Sequence, residues 1–359
     1  MYEHGGIQVV ESVTNGHPDK FCDRVSDAIL DAALAGDPNS RVAIETAAKS
    51  GVRVLGEMTT STPIDIKAIV RRVWNETGYR PEDLRGVDVD VVRQSPDIAL
   101  INKGAGAQGA GDQGIMNGFA VWNPAHEHMP TCTAFARKLT NRLHEVRASG
   151  ALPWMGPDGK SQVVMRGGAV THVTIAIQHD REAPLEDIRR EVFAQVIVPV
   201  VGDIDPKACT INGTGAFILG GPAADAGLTG RKIVVDQYGP GIPVGGGAFS
   251  GKDPTKVDRT AAYMARFIAK EIVRRQDANE AFVQLAYTIN GVEPDALVVI
   301  ADGRLDAALE AWVRKTFPLS PAGMIEFLGL THPQGWSYED AAAFGHFGRP
   351  QFPWEQARG

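Results

Sequence analysis

The chain has 359 residues, 43% of them hydrophobic, which is enough to bury a sizeable core and to divide into two or three domains. Its formal net charge of -7 removes bulk electrostatics as a basis for nucleic-acid binding, so any polyanion must meet a local basic site. Three scattered cysteines, Cys22, Cys132 and Cys209, form no C-x-x-C pair and argue against zinc or a disulfide framework; the N-terminus shows no signal peptide, and the apolar run Val192–Val201 is too short to span a bilayer, which together fit a cytoplasmic protein.

Apolar residues Phe21, Val25, Ile29, Ala32 and Ala33 predict the first helix, opened by Pro18, with Asp19, Asp23, Asp27 and Asp31 running down another face. Strands follow at 41–47 and 52–59 around a Lys49-Ser50-Gly51 turn, then a helix over 63–75. The same order returns twice. A helix over 131–147 precedes strands at 162–165 and 169–178 and a helix over 184–198; a helix over 254–274 precedes strands at 281–289 and 296–301 and a helix over 305–316. Strands at 87–93, 115–121 and 232–237 would complete the sheets. This predicts an α+β fold of three similar units, each with helices on one sheet face and an open face buried by oligomerisation. The expected divisions are 1–98, a gate over 99–109, 110–226 and 227–359.

Two stretches carry chemistry: Gly16-His17-Pro18-Asp19-Lys20 and Gly245-Gly246-Gly247-Ala248-Phe249-Ser250-Gly251-Lys252-Asp253-Pro254-Thr255-Lys256-Val257-Asp258-Arg259. A bound triphosphate carries about four negative charges, which lysines neutralise only partly and divalent cations must share. Carboxylates beside the lysines then make sense as metal ligands, and glycines let backbone N–H groups approach phosphate oxygens. Two features argue against a P-loop: Asp253 stands where a Ser or Thr hydroxyl belongs, and the preceding segment 238–244, with two prolines and two glycines, is no central strand. A flexible glycine loop with solvated lysines is the bland alternative. In the helix that follows, Val257, Ala261, Met264, Ile268 and Ile272 form the buried stripe, Asp253 reads as N-cap and Asp258 is free for metal. His126-Glu127-His128, in a Pro-flanked loop, reads as solvated rather than zinc-bound.

These two stretches resemble the signatures of the methionine adenosyltransferase (S-adenosylmethionine synthetase) family, and so do Gly109-Ala110-Gly111-Asp112-Gln113-Gly114, Arg93-Gln94-Ser95-Pro96-Asp97-Ile98, Leu228-Thr229-Gly230-Arg231-Lys232 and Phe344-Gly345-His346-Phe347-Gly348-Arg349. The similarity runs from about Glu11 to Trp354. It implies an ATP:L-methionine S-adenosyltransferase that forms S-adenosylmethionine and cleaves the released triphosphate to pyrophosphate and phosphate. It also implies three α+β units about a pseudo-threefold axis, a homodimer with shared sites, usually paired into a tetramer, and Mg2+ (two per site) and K+ as cofactors.

Residue by residue, the resemblance places His17 near the ribose–triphosphate bridging oxygen, and Lys160, Arg231, Lys232 and Lys252 along the phosphates. Asp158, Phe217, Asp225 and Ala248 match other ATP-binding positions, Phe217 as the aromatic that stacks on adenine. Glu57, Gln94, Asp112, Asp225, Lys256 and Ile289 match the methionine site. Asp19 and Asp258 match Mg2+ ligands, and Glu45 a K+ ligand. The chain departs from the family where Ala216 replaces an arginine near the nucleotide, and where the gate, residues 99–108, is shorter and glycine-rich. Rival readings are a relaxed paralogue using another nucleotide or methionine analogue, and a non-catalytic regulatory subunit.

Overall fold

The computed structural model describes residues 6–95 and 108–357. In chain order it has β1 (Ile7–Val13), α1 (Pro18–Gly36), β2 (Arg41–Ala48), β3 (Val52–Thr59), α2 (Ile66–Thr77), β4 (Val87–Val92), β5 (Gly114–Val121), α3 (Thr131–Ala148), β6 (Met155–Arg166), β7 (Ala169–His179) and α4 (Leu185–Val192). Then come β8 (Cys209–Ile211), β9 (Gly227–Leu228), α5 (Val257–Arg274), β10 (Glu280–Tyr287), β11 (Ala296–Ala301), β12 (Arg304–Leu305), α6 (Ala307–Thr316), α7 (Pro321–Leu328) and α8 (Tyr338–Ala342). All but residues 108–109 of the expected gate, and Pro96-Asp97-Ile98 of one motif, lie outside the described residues.

The strands form three four-stranded sheets, ordered β4-β3-β2-β9, β1-β6-β7-β8 and β12-β11-β10-β5. Each sheet takes in one strand from a distant part of the chain. β1 pairs antiparallel with β6, β5 with β10, and β9 with β2. One long helix lies against each sheet: α1 on β2, α3 on β6 and β1, α5 on β5 and β10. Close packing of the last pair depends on Gly118, where a Cβ would overlap the Ala265 backbone.

The buried apolar side chains fall into two cores. One joins α1, α2, α5 and the C-terminal segments; the other, from Val10 through Cys132 to Ile211, fills the unit built on α3. On β2, Val42, Ile44 and Thr46 are buried while Glu45 is exposed, the alternation of a sheet covered on one face. Leu55, opposite Glu45, and Val9 on β1 are exposed apolar residues of such open faces.

Three expectations are corrected. Residues 233–236 form a helical turn, not a strand. The β-branched run Ile233-Val234-Val235 reads as extended, yet the Arg137 guanidinium from α3 donates to the Val235 and Gln237 carbonyls and so takes acceptors a ladder would use. The helix expected over 184–198 gives way to a π-helical turn at Phe193–Ile197 before continuing over Val198–Val201. Pro199 has no N–H for the Gln195 carbonyl, which accepts from Arg142 Nε at 2.9 Å instead. Helix α5 begins at Val257 rather than 254, and Asp253 is not its N-cap: its carboxylate accepts from the backbone N–H groups of Val42 and Thr255.

Candidate functional site

Two charged clusters flank the glycine loop. The first is built on the N-terminus of α1. His17 is the N-cap, with its Nδ1 accepting the Asp19 backbone N–H at 3.1 Å. This bond leaves the proton of the neutral ring on Nε2. Burial, then the charge of Lys232, drives the His17 pKa down to about 3 against the opposing pull of Asp19, and Lys160 lowers it further. The ring is therefore a neutral donor at physiological pH.

A testable consequence is that His17, followed by nitrogen NMR, stays in the uncharged Nε2–H form from pH 8 down to pH 5; titration near 6.5 would contradict it. The unfolded chain takes up this proton near 6.5 and the native chain only near 3. The group's contribution to stability is accordingly lost as pH falls between those values.

Asp19 is buried beside it. Its Oδ1 accepts the Leu228 N–H at 2.9 Å and lies 3.6 Å from Arg231 Nε, while Oδ2 meets Lys232 Nζ at 2.6 Å. Burial alone would raise its pKa, but the Lys232 hydrogen bond, the Leu228 N–H and the Lys232 charge hold it below the usual carboxylate range. Lys160 projects from β6 on the exposed face, opposite Val13. Asp158, two residues earlier, accepts the Gly221 N–H at 2.9 Å, and burial raises its pKa to about 6 against that bond and the Lys160 charge. Asp225 acts electrostatically on both His17 and Asp158, so it belongs to this cluster. Phe217 is held by His179, whose Nε2 accepts the Phe217 N–H at 3.0 Å; Ala216 beside it is exposed.

The second cluster lies at the N-terminus of α5. Lys252 is bridged to Ala43 of β2, and its Nζ meets Asp258 Oδ2 at 2.6 Å. Glycines make room for this carboxylate: a Cβ at Gly247 would overlap Asp258, and one at Gly114 would lie 2.9 Å from its Oδ1. Lys256 is buried, and its Nζ meets Asp253 Oδ2 at 2.6 Å. Expected methionine-site residues gather around this end. Gly111 donates to the Thr255 carbonyl beside exposed Asp112; the Asn290 N–H donates to the Ala110 carbonyl and the Ala110 N–H to the Gly291 carbonyl, which sets Ile289 nearby. Glu57 stands opposite Ala43 on β3, and Gln94 donates its N–H to Thr59 Oγ1. Asp225 alone of that set sits with His17 instead.

Among the described residues no hydrogen bond or ion pair joins the two clusters, although their loops touch: a Cβ at Gly230 would lie 2.8 Å from that of Ala248. Glu45 is exposed on the open face of β2, and no hydrogen bond or ion pair links it to either cluster among the described residues. Sequence reasoning missed the use of Asp253 as a buried anchor. It also missed the buried set Lys20, Asp23 and Asp236, in which Lys20 bonds both carboxylates. The four-residue spacing of aspartates on α1 was the available signal.

No group of three His, Cys, Asp or Glu side chains gathers among the described residues, so there is no all-protein metal cage. Asp19 and Asp258 each offer one hard carboxylate, now neutralised by a lysine. That set fits a small divalent cation that keeps its waters and is bound mostly through substrate phosphates.

Comparison with known proteins agrees along the whole chain. Residues 7–98 match the S-adenosylmethionine synthetase N-terminal domain, 107–217 the central domain and 219–356 the C-terminal domain. The chain is 44% identical to the S-adenosylmethionine synthase of Clostridium tetani, over 96% of this chain and 95% of that one. It is 43% identical to that of a Nitratiruptor species and 44% to that of Brachyspira hyodysenteriae, each over 96% of this chain and 94% of the relative. No described helix is long and apolar enough to cross a membrane.

Proposed function

Because the chain belongs to the S-adenosylmethionine synthetase family, we propose that it makes S-adenosylmethionine from ATP and L-methionine. The methionine sulfur attacks C5′ of the ribose and the C5′–O bond breaks, releasing triphosphate, which the same site hydrolyses to pyrophosphate and phosphate. The sulfur lone pair needs no base, so the protein's work is alignment and stabilisation of departing charge. The observation that carries this reading is His17: a buried, neutral imidazole whose Nδ1 is engaged by the Asp19 N–H and whose Nε2–H has no hydrogen-bond partner among the described residues, set among Lys160, Arg231 and Lys232.

His17 donates to the bridging oxygen as negative charge grows there. Lys160, Arg231, Lys232 and Lys252 neutralise the phosphate chain, Phe217 stacks on adenine, and Asp158, Asp225 and Ala248 complete the nucleotide site. Glu57 and Asp225 take the methionine ammonium, Lys256 its carboxylate, with Gln94, Asp112 and Ile289 lining the pocket. Asp19 and Asp258 would each hold Mg2+, which supplies charge neutralisation on the phosphates when bound; Glu45 would hold K+. A homodimer through the open sheet faces, paired into a tetramer, accounts for exposed Leu55 and Val9.

Purified protein given ATP and methionine should yield S-adenosylmethionine by mass spectrometry together with equal phosphate and pyrophosphate. Release of intact triphosphate without the sulfonium product would sink the reading, and inactivity with both substrates would favour a regulatory subunit. Asp258→Asn should raise the Mg2+ concentration needed for half-maximal rate by tenfold or more, since the one carboxylate at that position is gone. An unchanged Mg2+ titration would remove Asp258 from the metal site.

A further inference from the structure

Helix α1 carries aspartates at successive turns, and together they accept backbone N–H groups from three distant segments. Asp19 takes Leu228, Asp23 takes Gly230 at 2.8 Å, Asp27 takes Gly251 at 2.8 Å, and Asp31 takes Tyr338 and Glu339. The middle two share a pattern. Gly230 immediately precedes Arg231-Lys232, and Gly251 immediately precedes Lys252. Both glycines have φ near +80, at +79° and +80°, where a side chain is strained. A Cβ on Gly251 would also overlap the Ile44 carbonyl.

Each aspartate is in turn fixed by a buried cation. Lys20 Nζ bonds Asp23 at 3.0 Å, and Arg259 Nη2 bonds Asp27 at 2.6 Å. Asp27 and Arg259 are fully buried, yet their pairing is single rather than forked: Asp27 Oδ2 and Arg259 Nη1 have no partner among the described residues. Their remaining bonds run to the loop, Asp27 to Gly251 and Arg259 Nε to the Phe249 carbonyl at 2.9 Å. A buried pair so arranged is weak evidence for stability, since apolar replacements are often as stable. It does fix the backbone directly ahead of Lys252.

We propose that Asp23 and Asp27 are positioning residues: α1 sets the two cationic segments through their glycines, Asp23 acting on Arg231-Lys232 and Asp27 on Lys252. The proposal rests on the reading of those cations as phosphate-facing. Stated as coupling, Asp27 and Lys252 act as one unit, as do Asp23 and Lys232, whereas Asp27 and Lys232 act independently.

The test is a set of double-mutant cycles on the full-length protein. Asp27→Asn is expected to lower kcat about tenfold in the wild-type background and less than twofold in Lys252→Ala; Asp23→Asn should behave likewise against Lys232→Ala. The cross-pair of Asp27→Asn with Lys232→Ala should show multiplied losses. Independent losses in the matched pairs, or a wild-type kcat for Asp27→Asn, overturn the proposal. Where Asp27→Asn fails to fold, Asp27→Asn/Arg259→Met, which removes the cation left unpaired, enters the same cycle. Calorimetric affinity for inorganic tripolyphosphate is the second readout and separates the two claims. If the wild type makes no S-adenosylmethionine the functional reading falls, while non-additive loss of tripolyphosphate affinity still upholds the positioning. Additive loss, or no tripolyphosphate binding by the wild type, overturns it.

Discussion

His17→Asn is expected to lower S-adenosylmethionine formation by roughly 10²–10³-fold, the range for removing one donor aimed at developing charge. Asparagine is a good N-cap, so it can accept the Asp19 N–H and keep α1 intact. It is too short to present a donor where Nε2–H stands. The loss should fall on kcat and leave the KM for ATP within a few-fold, because the oxygen that His17 serves carries its extra charge only as the C5′–O bond breaks. With the His17 pKa near 3, protonation of this ring also adds no acid limb to the rate above pH 5. A wild-type kcat in the variant, or a loss confined to KM, would take His17 out of the mechanism.

Where local pattern decides structure, the sequence was a good guide. Helices α1 and α3 and the hairpins β2–β3 and β6–β7 follow from apolar period and turn residues, and lie within a few residues of expectation at most ends. Partners distant in the chain were not legible. Nothing in Ile7–Val13 says that it pairs with β6, or in Gly114–Val121 that it pairs with β10, because each partner lies far along the chain, beyond the reach of local pattern. The turn at 233–236 shows the same limit: its β-branched residues favour a strand, and a guanidinium from α3 overrides them.

The site was legible as motifs and less so as wiring. His17 and Asp19 stand out in their motif, whereas Lys232 and Asp158 came only with the family resemblance; Asp19 pairs with Lys232, and Lys252 with Asp258. Asp253 fits the N-cap rule by composition, yet its carboxylate is drawn into β2 by the Val42 N–H and balanced by Lys256. The aspartate period on α1 was visible, but which backbone each carboxylate would accept depended on loops more than two hundred residues away.

Glu355→Ala is expected to be the most damaging substitution outside the site, costing about 3–5 kcal/mol, the range for breaking a buried ion pair from one side. Glu355 is fully buried in the C-terminal segment. Its Oε1 accepts from Arg266 Nε at 2.9 Å and the Gly348 N–H at 2.7 Å, and its Oε2 from Arg266 Nη2 at 3.0 Å and Lys270 Nζ at 2.8 Å. Arg266 and Lys270 belong to α5, so this one carboxylate fastens the tail to the helix whose first turn carries Asp258. Removing it leaves Arg266 buried with only carbonyl partners, whereas Lys270 keeps half-exposed Glu127. Burial alone would raise the Glu355 pKa, but Arg266 and Lys270 hold it below the usual glutamate value. Its contribution is therefore present above the ordinary glutamate range and lost as pH falls through the lower native value. Urea unfolding of Glu355→Ala and wild type at pH 7 and pH 4 should show a gap that narrows on acidification. A variant with the wild-type midpoint at pH 7 would show that the tail is held by its aromatic packing alone, Trp354 stacked on Tyr263 with ring centroids 3.7 Å apart.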